Sequence, residues 1–133
     1  MSQEILNFAK AIDAKRPHLG DKSYQLFKSV FRRANYFLHV KGFMIIKISR
    51  SEKPFWGVGK VYIDFLNELD VDYFLVLLES EKSGYVLKKQ DINRMIQRKE
   101  WGLASDNNYK INSPLQERFL FRNVKQFLNQ IEA

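Results

Sequence analysis

Residues 73–79 constrain the fold more than any other part of this chain. In Tyr73-Phe-Leu-Val-Leu-Leu-Glu79 both alternating faces are apolar up to the closing glutamate. A β-strand presents successive side chains to opposite faces, so a strand with no polar face must be covered on both sides. The segment therefore belongs in the interior of a sheet with a layer packed on each face. The 133 residues, 45% hydrophobic and 14% aromatic, make one domain with enough apolar material for such a core. That composition argues against disorder, although 28% of residues are charged.

The rest of the chain supplies the other layers. Ser2 is placed to cap a first helix with Ile5, Phe8, Ala9 and Ile12 on one face, broken by Pro17 and Gly20. Asp21 is placed to cap a second helix with the stripe Tyr24, Phe27, Val30, Phe31 and Ala34. Residues 36–41 and 43–49 read as two strands meeting at Gly42. Pro54, Gly57 and Gly59 mark a loop, and Val58, Val61, Tyr62, Phe65 and Leu69 predict a helix over 59–69. A turn over 81–84 leads to a short strand, 85–88. Asp91 then caps a helix bearing Ile92, Met95 and Ile96, ended by Trp101-Gly102. A polar turn, 105–108, precedes a strand over 109–111. The last helix carries Leu120, Val124, Phe127, Leu128 and Ile131. The predicted order is α-α-β-β-α-β-β-α-β-α, an α/β (α+β) single domain with a mixed sheet flanked by helices.

Several function classes find no support. With no cysteine, there is no disulfide, thiolate metal site or Cys nucleophile. The two histidines, His18 in a loop and His39 in a strand, read as one surface and one half-buried residue. Neither a Gly-x-Ser-x-Gly elbow nor a Walker-type phosphate loop occurs. No metal or cofactor is implied. The longest apolar run, 74–78, is too short to span a bilayer, and the first residues lack a signal-peptide pattern. A cytoplasmic protein with no membrane association is the expectation.

Charge points to a partner. Between Lys28 and Lys60 lie Lys28, Arg32, Arg33, Lys41, Lys47, Arg50, Lys53 and Lys60 against the single acid Glu52. The segment's net charge equals the +7 of the whole chain. Within it, residues 50–60 mix cations with Phe55-Trp56 and two glycines. Cations beside exposed aromatics suit a ligand made of phosphates and bases. The candidate nucleic-acid-binding residues are Lys41, Lys47, Arg50, Lys53, Phe55, Trp56 and Lys60. Each also has a plain structural reading. Phe55 and Trp56 are either a stacking platform or a lid on the core. Gly57-Val-Gly59 is either turn geometry or a phosphate cradle at a helix start. Lys47, flanked by isoleucines in a strand, either snorkels to water or is aimed at an anion. The acids Asp64, Glu68, Asp70, Asp72, Glu79 and Glu81 are either a solvated face or a hard-cation site.

The order helix, hairpin, strand with Lys47-x-Ser49, helix, apolar strand resembles the core of the PD-(D/E)XK nucleases over residues 21–88. In that family the last hairpin strand bears Glu-x-Lys, and an earlier strand supplies an Asp that joins the Glu in holding Mg²⁺. The resemblance makes Lys47 the motif lysine and puts Ile45 at the acid position. No acid lies between Asp21 and Glu52 to supply the Asp. It implies a nuclease-like scaffold without its metal ligands. Three readings follow: a nucleic-acid-binding domain for DNA or RNA, a protein-interaction module or inhibitor with a basic face for an acidic protein, and a divergent metal-dependent nuclease.

Overall fold

A computed structural model describes residues 2–17, 24–31 and 36–132. His18, Gly20, Asp21, Arg32, Arg33 and Ala34 lie outside the described residues. The fold is a single-domain α+β arrangement built on a mixed five-stranded sheet and a second, three-stranded sheet.

The apolar segment becomes β4 (Tyr73–Leu78), and every residue of it is buried. It lies at the centre of the order β1-β2-β4-β5-β8. On one side it pairs in parallel with β2 (Gly42–Ile48), and on the other antiparallel with β5 (Gly84–Lys88). β1 (Tyr36–His39) forms a hairpin with β2, and β8 (Leu120–Phe121) closes the far edge. Strand alternation then sorts the two layers. Phe43, Ile45, Leu75, Leu77, Tyr85 and Leu87 face one core, covered by α2 (Tyr24–Phe31), α3 (Lys60–Leu69), α4 (Lys89–Gln97) and the small sheet. Met44, Ile46, Phe74, Val76, Leu78 and Val86 face the other, covered by α1 (Gln3–Ala11) and α5 (Val124–Glu132).

Helix ends differ from the sequence reading in instructive ways. Ser2 occupies the cap position of α1, but its hydroxyl donates to the Glu4 carboxylate at 3.2 Å rather than accepting a backbone N–H. α4 begins two residues before Asp91, so that acid sits in the first turn. There it favours the positive end of the helix dipole and pairs with Arg94 and Arg118. α5 has a side-chain cap: the Gln126 N–H donates to the Asn123 side chain at 2.9 Å.

The main correction concerns residues 54–59. The glycines there suggest a loop, but 55–59 form β3 (Phe55–Gly59), paired antiparallel with β7 (Asn108–Asn112). β6 (Gly102–Leu103) completes the order β3-β7-β6. Strand pairing overrides the low strand preference of glycine, because Trp56 and Val58 supply a buried inner row. Among the described residues, no helix is long and apolar enough to cross a membrane.

Candidate nucleic-acid interface

β3 settles the fate of the Phe-Trp pair, because neighbouring residues in a strand point to opposite faces. Trp56 points inward and is 2% exposed. Its indole N–H donates to the Leu78 carbonyl at 3.1 Å, and its ring meets Tyr85 edge-on at 6.0 Å. Trp56 is therefore part of the core and not a stacking platform. Phe55 points outward, is 58% exposed and has no aromatic contact among the described residues. Its backbone is held in place: the Phe55 N–H donates to the buried Ser49 hydroxyl at 3.2 Å, and the Pro54 carbonyl accepts from the Ser113 N–H at 2.9 Å.

The outward face of the small sheet follows from its register. Phe55 stands directly opposite Asn112, and Gly57 opposite Lys110. Gly102 flanks Lys110 on the other side. A lysine between two glycines on an open sheet face leaves a low floor with one cation rising from it. Nothing lies within 4 Å of where a Gly102 Cβ would sit, and at Gly57 the nearest atom is the Lys110 ammonium at 3.7 Å. Lys110 also makes an exposed ion pair with Asp106 at 3.1 Å. Such an exposed pair is screened by solvent, contributes little and yields to a competing phosphate. Lys53, exposed, immediately precedes β3 beyond Pro54.

The other predicted site residues do not join this face. Lys41 lies at the β1–β2 turn, at the far end of β2, and a seven-residue strand spans roughly 20 Å. There it lines an open depression of about 460 Å³ with Asp72, Lys88 and Lys89. Lys47 continues the inward row of Phe43 and Ile45, half-buried, and burial lowers its ammonium pKa. Arg50 is engaged by Glu4 through two bonds, Nε to Oε2 at 2.6 Å and Nη2 to Oε1 at 2.8 Å. Those bonds hold the Glu4 carboxyl, ordinarily at 4.5, down to about 2. The pair is thus fully formed above the ordinary carboxyl range and lost as pH falls through about 2. Lys60 pairs with Asp64 one helical turn on. Lys41 is therefore separated by the length of β2, Lys47 turns toward the core, and Arg50 and Lys60 are paired with acids, which leaves Lys53 beside Phe55.

The acids and the remaining histidine read plainly. Asp70 pairs with Lys89 at 2.9 Å, while Glu79 and Glu81 lie at the opposite end of β4. Among the described residues no three His, Asp or Glu side chains gather as metal ligands. His39 accepts the Lys41 N–H at 3.1 Å within the hairpin turn. The sequence reading missed Lys110 and Asn112. The signal was present, since Asn108-Tyr-Lys110-Ile-Asn112 alternates polar and apolar residues, as a half-exposed strand does.

No protein-family model, curated protein or solved structure matches the chain.

Proposed function

We propose that this protein binds single-stranded nucleic acid on the outward face of its small sheet and does not cleave it. The observation that carries the reading is Phe55, an exposed ring fixed on a strand between Lys53 and Lys110. A base stacks on the ring, and the two ammonium groups take the flanking phosphates. Bases inside a duplex are already stacked on each other, so an exposed aromatic on a sheet selects single strands. A hairpin, the α3 crossover and parallel β4 around Lys47 support the further proposal that the large sheet is a nuclease-like scaffold. Ile45, fully buried at the acid position, supplies no ligand there.

The test is fluorescence anisotropy of a labelled, mixed-sequence oligonucleotide across a salt series. The logarithm of affinity should fall linearly with the logarithm of salt. Lys53→Ala with Lys110→Ala should reduce that slope by about 1.4, the contribution of two single-strand phosphates. Phe55→Ala should weaken binding by about 1–3 kcal/mol and leave the slope nearly unchanged. The oligonucleotide should stay intact with Mg²⁺ or Mn²⁺. Binding indifferent to all three substitutions would overturn the assigned face. Cleavage that co-purifies with the protein would overturn the non-catalytic half.

A further inference from the structure

The outward face continues into a cleft between the end of α4, β7 and the loop after β7. Lys110 and Asn112 belong to both. The cleft's volume is about 220 Å³, about half that of the Lys41 depression at about 460 Å³. That is below the roughly 300–1,000 Å³ of sites that enclose drug-sized ligands, and it suits one ring system rather than a whole cofactor. Met95, Trp101 and Leu115 supply apolar walls, and Glu100, Lys110 and Asn112 supply polar groups. Apolar walls beside a few polar side chains are what a small heterocycle requires.

We infer that this cleft receives a single nucleobase bearing an exocyclic amino group, the neighbour of the base on Phe55. The inference rests on the nucleic-acid reading above. Its chemistry comes from two groups without a side-chain partner among the described residues, the Glu100 carboxylate and the Asn112 amide. An ionised carboxylate only accepts hydrogen bonds, so the ligand edge facing Glu100 must donate. Cytosine, adenine and guanine each offer an amino group; carboxylates accept from cytosine N4, and Asn pairs with adenine's adjoining donor and acceptor. Thymine and uracil offer one imino N–H between two carbonyls, and a carboxylate repels those carbonyl oxygens. Asn112 sits across from Phe55, so one strand of nucleic acid meets the ring and the cleft in succession. Lys110, which lines the cleft and rises from the same face, is placed for the phosphate that joins them.

The experiment compares oligo-dC with oligo-dT of equal length, which holds ring size and backbone charge constant. The wild-type chain should prefer oligo-dC by about tenfold or more. Glu100→Gln and Asn112→Ala, both at exposed positions, should bring the two oligonucleotides toward parity. Neither should change the melting temperature, and the effect of Phe55→Ala should remain. Oligo-dC should also quench Trp101, which lines the cleft. Equal affinity for dC and dT, or a preference that survives both substitutions, overturns the inference and leaves the nucleic-acid reading intact. No binding to either oligonucleotide overturns both.

Discussion

Gly84→Ala is expected to cost about 4 kcal/mol or more, a large share of the ~5–15 kcal/mol that holds a domain together. Gly84 opens β5 and pairs with Leu78. A Cβ there would lie 2.1 Å from the Leu77 carbonyl oxygen and 2.8 Å from the Leu78 Cα. Both are backbone atoms of β4, which β2 grips from its other side. A crowded side chain rotates away at a cost of about 1–3 kcal/mol, but a strand paired on both edges does not. Equilibrium urea unfolding checks this. A midpoint equal to that of the parent chain would mean that β4 and β5 are not paired in this register.

Trp56→Ala should cost about 3–5 kcal/mol. The substitution removes one of the largest fully buried side chains and leaves the Leu78 carbonyl without its indole donor. The small sheet is packed against the large one through this residue, Val58, Tyr109 and Ile111. Its loss should therefore lower the melting temperature, and any loss of oligonucleotide binding should follow unfolding. Phe55→Ala, one residue away, should do the reverse, weakening binding at an unchanged melting temperature. Thermal melts of the two variants beside their binding curves make the comparison. Equal stability of Trp56→Ala and the parent would contradict the inward orientation of Trp56.

Much of the fold is legible in the sequence because burial leaves a period. The segment around Leu75 to Leu77 has no polar face, and it is the central strand. The stripes Ile5-Phe8-Ala9 and Phe127-Ile131 are the helix faces they predict. The small sheet is harder to see. Phe-Trp-Gly-Val-Gly carries two residues that disfavour strands, and the partner that overrides this preference, β7, lies some fifty residues away. The candidate site suffers from the same gap. Charge counted along the chain places Lys41, Arg50 and Lys60 together, but the hairpin separates Lys41 from the rest. Glu4 and Asp64 then occupy Arg50 and Lys60. Linear charge density says nothing of partners that approach from elsewhere in the chain. Lys110 and Asn112 join Phe55 only once the register of β3 and β7 is known.

The most direct test of the central claim is a nitrogen–proton correlation spectrum of the labelled protein, recorded as a mixed-sequence single-stranded oligonucleotide is added. Amide shifts should concentrate on Phe55, Gly57, Gly102, Lys110 and Asn112, and they should fade as salt is raised. Trp56 and the β4 amides should move little, because both lie beneath the proposed binding face. Shifts confined to the Lys41 end of the large sheet, or no shifts at all, would contradict the assignment of the small sheet as the binding face.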